Sequence, residues 1–318
     1  MDWIEGRSPA ARALEGLLGQ VAASEVPVLL QGESGSGKSA CAREIHRRST
    51  RAGEPLVVTQ LSTLAPSLIE SELFGHEAGA FTGAQRARAG RFERAGAGTI
   101  VLAGIETLAE GLQGKLLRVL QERLVEPVGS EEALALRARV LSTSGVDLRE
   151  AVRAGTFRGD LYFRLAVVVI DVPPLRARAE DLADLAARIL AAAAVRLGLP
   201  PRMLSGAAQE ALAAHRWPGN LRELENALER VLVLGARNGL EIEPGEFGFL
   251  AEARADALLP LARALLARGI DLVDFERTLL AEALHESRGN VAAAARALGL
   301  SRKAFEQRQA RARAGDEP

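Results

Sequence analysis

Five short apolar runs, Val26 to Leu30, Leu56 to Thr59, Thr99 to Leu102, Val140 to Ser142 and Val167 to Val172, are separated by stretches whose apolar residues recur at helical spacing. Strand-length runs alternating with helices predict a largely parallel sheet covered on both faces, an α/β fold. Pro173-Pro174 stops this pattern. From Leu182 to Leu234 alanine and leucine recur at helical spacing with no strand candidate, so a small all-α domain is expected. Arg237 to about Ile270 mixes glycine, proline and charge with weak periodicity and reads as a linker with some helix. Near Leu272 a helix resumes through Phe275, Leu279, Leu280 and Leu284; Gly289-Asn290 breaks it, and a second short helix covers Val291 to Leu298. Gly299-Leu300 then makes a tight turn, with Ser301 as N-cap of a third helix. The expected division is 1–175, 176–236, a linker over 237–270, and 271–318.

Composition narrows the class. The 318 residues, 48% hydrophobic and 25% charged, suit a globular protein with a sizeable core. No run approaches the roughly 18 apolar residues of a membrane span, and Met-Asp-Trp-Ile-Glu lacks the basic and apolar regions of a secretion signal. A cytoplasmic protein without a membrane partner is expected. One cysteine, Cys41, excludes a disulfide framework and a multi-cysteine metal site, and suits helix packing. A net charge of −1 provides no global field toward nucleic acid, so any such contact must be local.

The chemistry concentrates between the first strand and a helix expected over Ala40 to Arg48. There Gly32, Glu33, Ser34, Gly35, Ser36, Gly37, Lys38 and Ser39 match the phosphate-binding pattern G-x-x-x-x-G-K-[ST] in full. Glycines let backbone N–H groups turn inward around a polyphosphate, and the helix start adds its positive dipole end. Lys38 would reach the terminal phosphates and the Ser39 hydroxyl would sit on Mg²⁺. A plain glycine-rich turn is the alternative, which the strand-to-helix setting disfavours. ATP with Mg²⁺ is the expected cofactor.

The tail is locally basic: from Ser301 to Arg313 stand Arg302, Lys303, Arg308, Arg311 and Arg313 against one acid, Glu306. Two helices joined by a short glycine-containing turn, the second basic, make a helix-turn-helix pattern. Ser301, Arg302, Lys303 and Arg308 are the candidates for DNA contacts, and Ala292 to Ala295 would let the helices approach closely. Pattern alone leaves a solvated helical hairpin equally open.

Between the second and third strands, Gly79, Ala80, Phe81, Thr82, Gly83 and Ala84 set one aromatic among small residues, which suggests an exposed loop tip that grips a partner. With Glu70 to Glu77, Gly90 to Glu93, Lys115 to Glu122, Phe157 to Arg164, Pro173 to Arg176 and Trp217 to Leu224, this loop resembles the AAA+ domain of bacterial enhancer-binding proteins, activators of sigma-54 RNA polymerase. The resemblance runs from about Ile4 to Leu234 and resumes in a Fis-type tail. It implies a P-loop AAA+ parallel sheet flanked by helices, an all-α lid and a C-terminal helix-turn-helix. It also implies a homo- or hetero-oligomeric ring, usually hexameric, with nucleotide between subunits. In such a ring the 79–84 loop meets sigma-54. Arg158 and Arg164 match the positions that reach a neighbour's γ-phosphate, a contact worth on the order of 10³ to 10⁵ in rate. Arg222 matches the sensor arginine of the lid, and Asn220 with Glu223 suggests a capping box. Because the resemblance begins within a few residues of Met1, no receiver or ligand-sensing domain is expected before it, and control would act in trans.

The departures concern hydrolysis. Relatives end the third strand in an aspartate that orients Mg²⁺ and a glutamate that activates water; this chain has Ala103-Gly104. Gln60 stands in place of an asparagine that restrains that glutamate, and Ser144-Gly145 in place of a sensor threonine-asparagine. Losing a positioned base alone costs roughly 10²- to 10⁴-fold. ATP binding with slow or absent hydrolysis is therefore expected, either in an active regulator or in a non-hydrolysing pseudo-ATPase that modulates other rings. Glu106 is the remaining nearby carboxylate; since the strand ends before it, its side chain is expected to point elsewhere. Glu306 and Gln309 also replace residues that are usually hydrophobic, aromatic or basic in relatives.

Overall fold

The computed structural model describes residues 6–81, 84–235, 239–249 and 263–314. They fall into two compact units, Met1–Glu246 and Phe247–Pro318.

In the first unit the five apolar runs form one parallel sheet: β1 (Val28–Gln31), β2 (Leu56–Gln60), β3 (Thr99–Ala103), β4 (Arg139–Ser144) and β5 (Val168–Asp171), in the order β2-β3-β4-β1-β5. Alternation within β1 shows how the faces are assigned. Val28 and Leu30 pack with Leu14, Leu18, Cys41 and Ile45 of helices α1 (Pro9–Ala22) and α2 (Lys38–Arg48). Leu29 joins the opposite core with Leu73, Phe74, Ile100, Leu116 and Leu161. A strand buried on both sides has no polar face to show, which is why the runs are continuous. Strand β1 begins at Val28 rather than Val26, and α2 begins at Lys38, two residues before the predicted start. Cys41 is fully buried and its thiol is pushed up to about 12 by burial, as a packing residue's would be.

After β5 the chain crosses to the helices α3 (Leu182–Leu197), α4 (Gly206–Ala214) and α5 (Asn220–Leu234). Trp217, between α4 and α5, is fully buried and donates its indole N–H to the Leu212 carbonyl at 2.9 Å. A strand does occur where none is predicted: Met203–Leu204 pairs in parallel with Glu241–Ile242. Arg202 holds the returning segment with a fork to both Glu246 oxygens at 2.8 Å. Two-residue strands carry too little periodicity to be seen in sequence.

In the second unit α6 (Leu272–Glu286), α7 (Val291–Ala297) and α8 (Arg302–Ala314) close over Leu280, Ala283, Ala294, Ala295 and Phe305. The caps follow local chemistry: Asn290 accepts from the Ala293 N–H and Ser301 from the Ala304 N–H. Among the described residues no helix is long and apolar enough to cross a membrane.

Candidate nucleotide site and partner surfaces

At the carboxyl end of β1, where neighbouring connections diverge to opposite sides of the sheet, a crevice is the expected ligand position in an open α/β fold. A cavity of about 350 Å³ lies there, lined by Ser34, Gly35, Gly37, Lys38 and Ser39 on one side and by Arg222 and Glu225 of α5 on another. The glycines serve close approach. A Cβ on Gly35, whose φ is +76°, would lie 2.2 Å from the Gly219 carbonyl oxygen. The Leu221 N–H donates to the Gly35 carbonyl at 3.0 Å, so the helical lid rests directly on the loop.

Lys38 donates to the carbonyls of Gly32 and Glu33 at 2.6 and 2.8 Å. Burial lowers its pKa, while the facing charge of Glu106 opposes that shift. Ser39 lines the cavity beside it. The buried hydroxyl of Ser36, inside the loop, has no hydrogen-bond partner among the described residues.

Asn220 and Glu223 depart from the capping-box expectation. Glu223 does accept from the Gly219 N–H at 2.7 Å, but the Asn220 side chain does not cap α5. Fully buried, Asn220 accepts from the Leu175 N–H at 2.7 Å and donates to Glu33 at 3.1 Å and to the Ser34 carbonyl at 3.0 Å. It joins the phosphate loop, the crossing segment and the lid. A cap is a local pattern, whereas these partners are more than 40 positions away and leave no periodic trace. Arg222 donates to the Ser34 hydroxyl at 3.3 Å.

Glu33 forms a second tether, accepting from Arg176 at 2.7 Å. The Arg176 hydrogen bond holds its carboxyl at about 2, against the opposing effect of burial, with Asn220 adding to the lowering. The folded pKa lies below the unfolded value of 4.5, so this stabilisation is present above about pH 4.5 and disappears as pH falls toward 2. Both side chains are more than one-third exposed, which keeps the effect below about 1 kcal/mol. Glu33→Gln is expected to flatten part of the acid limb of a denaturation-midpoint profile between those limits. An acid limb identical to that of the parent protein would show that the tether carries no stability.

The far wall holds the departures. Strand β3 ends at buried Ala103, followed by Gly104 at φ +78°. Gln60 donates to the Ser62 hydroxyl at 2.9 Å, and Ser144 donates to the Val146 carbonyl at 2.7 Å. Glu106 does not point elsewhere. It lines the cavity and accepts from the Gly145 N–H at 2.8 Å. A left-handed glycine reverses the chain after the strand, so strand alternation no longer sets the direction of the side chains beyond it. Glu225, unnoticed in the sequence, also lines the cavity, and burial pushes its carboxyl up.

Arg158 and Arg164 do not line this cavity; both are exposed on or beside the helix Gly159–Leu165, and Arg158 pairs with Asp160 at 2.8 Å. Phe81 is 40% exposed, its ring edge-on to His76 with centroids 5.0 Å apart. The Gly79 N–H donates to the Ala84 carbonyl at 2.7 Å, closing the loop base; Thr82 and Gly83 lie outside the described residues. On α8, Arg302, Lys303 and Arg308 are exposed. Arg302 pairs with Glu306 at 2.8 Å and Arg308 with Glu276 of α6 at 2.7 Å.

Comparison with known proteins agrees with this architecture. Residues 4–171 match the sigma-54 interaction domain, 176–255 the AAA+ ATPase lid domain, and 272–308 the bacterial regulatory protein, Fis family. The chain belongs to the sigma-54 interaction domain family. Its relatives include the C4-dicarboxylate transport transcriptional regulatory protein DctD of Pseudomonas aeruginosa, 44% identical over 298 residues, covering 94% of this chain and 62% of that protein. Another is the transcriptional regulatory protein ZraR of Klebsiella oxytoca, 43% identical over 302 residues, covering 94% and 66%. The chain thus spans about two thirds of the length of these relatives. Among solved structures, NtrX from Brucella abortus in complex with ADP aligns with a TM-score of 0.72 at 30% identity, covering 98% of this chain and 69% of that one. Its complex with ATP gives 0.70 at 31%, with the same coverage. The fold is that of an AAA+ P-loop nucleotide-binding domain with a helical lid and a helix-turn-helix.

Proposed function

We propose that this chain is a cytoplasmic, DNA-bound regulator of sigma-54 RNA polymerase that binds ATP between its P-loop and lid and hydrolyses it weakly. The carrying observation is the contrast across one cavity: Lys38, Ser39 and Arg222 line it, while β3 ends in Ala103-Gly104. The NtrX complexes with ADP and ATP support nucleotide as the ligand class. Mg²⁺ suits the same place, because Ser39 presents a hard oxygen beside Lys38 and the Ser36 hydroxyl within the loop has no partner among the described residues. When bound, the ion would neutralise phosphate charge.

The remaining assignments follow from placement. Gly32 to Ser39 and Arg222 hold the nucleotide, and Asn220 keeps loop and lid in register. Arg158 and Arg164, exposed and not among the residues that line their own cavity, serve a neighbouring subunit in a ring. Gly79 to Ala84, led by Phe81, meets sigma-54. Arg302, Lys303 and Arg308, with the cap at Ser301, contact DNA; Arg302 and Arg308 must exchange their carboxylate partners for phosphates, so binding should weaken steeply with salt. The functional divisions are 1–175, 176–236, 237–270 and 271–318.

A nucleotide titration beside a phosphate-release assay tests this reading. Binding with turnover well below that of AAA+ rings is expected. Normal turnover would refute the slow-hydrolysis assignment, and an absence of binding to ATP and ADP would refute the reading as a whole. Complete absence of turnover would favour a modulator that acts on the rings of other subunits.

A further inference from the structure

Two of the departures on the far wall, Gly104 and Gly145, both bear on Glu106. Glu106 is carried on the short turn Ile105–Thr107, which begins at Gly104 with φ +78°. That conformation costs a non-glycine residue about 1 to 2 kcal/mol, so Gly104 suits the turn better than a glutamate would. Among the described residues the carboxylate is seated by one donor, the Gly145 N–H at 2.8 Å. A Cβ on residue 145 would stand 3.0 Å from the same Oε1, so glycine leaves room for the seat where a larger residue would crowd it. The Gly104 N–H donates to the Thr143 carbonyl at 3.0 Å, which fixes the turn to β4. The second oxygen, Oε2, is buried without a hydrogen-bond partner among the described residues. Such an acceptor requires an explanation, because an unmet buried acceptor costs about 1 to 3 kcal/mol.

We propose that Glu106 is the catalytic carboxylate of this site, its Oε2 accepting the hydrogen bond and then the proton of the water that attacks the terminal phosphate of a nucleoside triphosphate. The proposal rests on the nucleotide-binding reading above. In the step, the water oxygen forms a bond to the γ-phosphorus while the bond from that phosphorus to the β,γ-bridging oxygen breaks. The electron pair of that bond leaves with the diphosphate. One water proton passes to Oε2 and is later released to solvent, leaving nucleoside diphosphate and inorganic phosphate. Lys38, across the cavity, holds the phosphates; Oε1 keeps its Gly145 donor, and a small turn of the carboxylate brings the buried Oε2 against the water. A single carboxylate on a turn in place of a pair at a strand end would leave hydrolysis slow but not lost.

Glu106→Gln keeps the size and the acceptor for Gly145 N–H while removing the base. Single-turnover phosphate release with protein in excess over ATP, and calorimetric titration with ATP and with ADP, would be run on full-length parent and variant, with thermal melts to show that both are folded. Release is expected to fall at least 10²-fold in the variant. ATP affinity is expected to rise relative to ADP affinity by roughly tenfold, because a negative charge facing the terminal phosphate is gone. The proposal is overturned by release within threefold of the parent, by an unchanged ratio of ATP to ADP affinity, or by parent protein that binds ATP and never releases phosphate. Gly145→Asn, which crowds the seat but leaves Glu106 in place, should slow release in the same way; unaltered release would count against the anchor. If the parent binds neither nucleotide, the failure belongs to the nucleotide reading and not to Glu106.

Discussion

Replacing Lys38 with alanine is expected to weaken ATP binding about a hundredfold while leaving the fold intact. Lys38 is the first residue of α2, and its ammonium folds back over the loop onto two carbonyls at 2.6 and 2.8 Å, a position from which it can turn to a terminal phosphate. Hydrogen bonds to charged groups contribute about 1.5 to 3 kcal/mol each. Losing two at the lower figure costs about 3 kcal/mol, roughly a hundredfold in Kd. Because Lys38 is only partly buried and its present partners are backbone carbonyls near solvent, the unfolding midpoint should hardly move. Calorimetry with ATP and ADP on parent and variant measures the effect. A Kd within threefold of the parent would mean that phosphate does not sit on this loop.

The second large effect should appear in the other unit. Phe305 is fully buried and is the largest side chain in a core otherwise made of Leu280, Ala283, Ala294 and Ala295. Truncating a buried phenylalanine to alanine costs about 3 to 5 kcal/mol. A core this small has little stability in reserve, since small units gain only a few kcal/mol from burial. Phe305→Ala is therefore expected to unfold α6 to α8, lowering helical circular dichroism and abolishing mobility shifts on the protein's own upstream DNA. Nucleotide titration should remain as in the parent, because that cavity is built wholly from the first unit. Retained DNA binding by the variant, or by protein lacking residues 272–318, would remove the helix-turn-helix from the DNA-binding assignment.

Much of this was legible because it is encoded locally. β1 and β3 are buried at every position and nearly all apolar, so they appear as runs, and the ends expected for the five strands lie within two residues of those observed. The phosphate loop is a contiguous motif whose residue types are required by backbone geometry, and the caps at Asn290 and Ser301 bind N–H groups three positions on. The arrangement of charge was much less legible. Arg308 finds Glu276 across 32 positions, so a basic helix in sequence becomes a partly neutralised one in the fold.

By itself, the sequence determined the order of strands and helices, the phosphate-loop motif, and the absence of a carboxylate at Ala103 and Gly104, since each depends on residue type within a short window. Only the tertiary structure decided where Glu106 points and what Asn220 does. Glu106 finds its donor 39 positions away at Gly145, and Asn220 finds its partners in the P-loop 186 and 187 positions away. The physical reason is the same for both. A polar side chain beyond a turn is oriented by whichever donor or acceptor the fold brings within about 3 Å, and that neighbour is fixed by the packing of the sheet and the lid, not by the residues adjoining it in the chain.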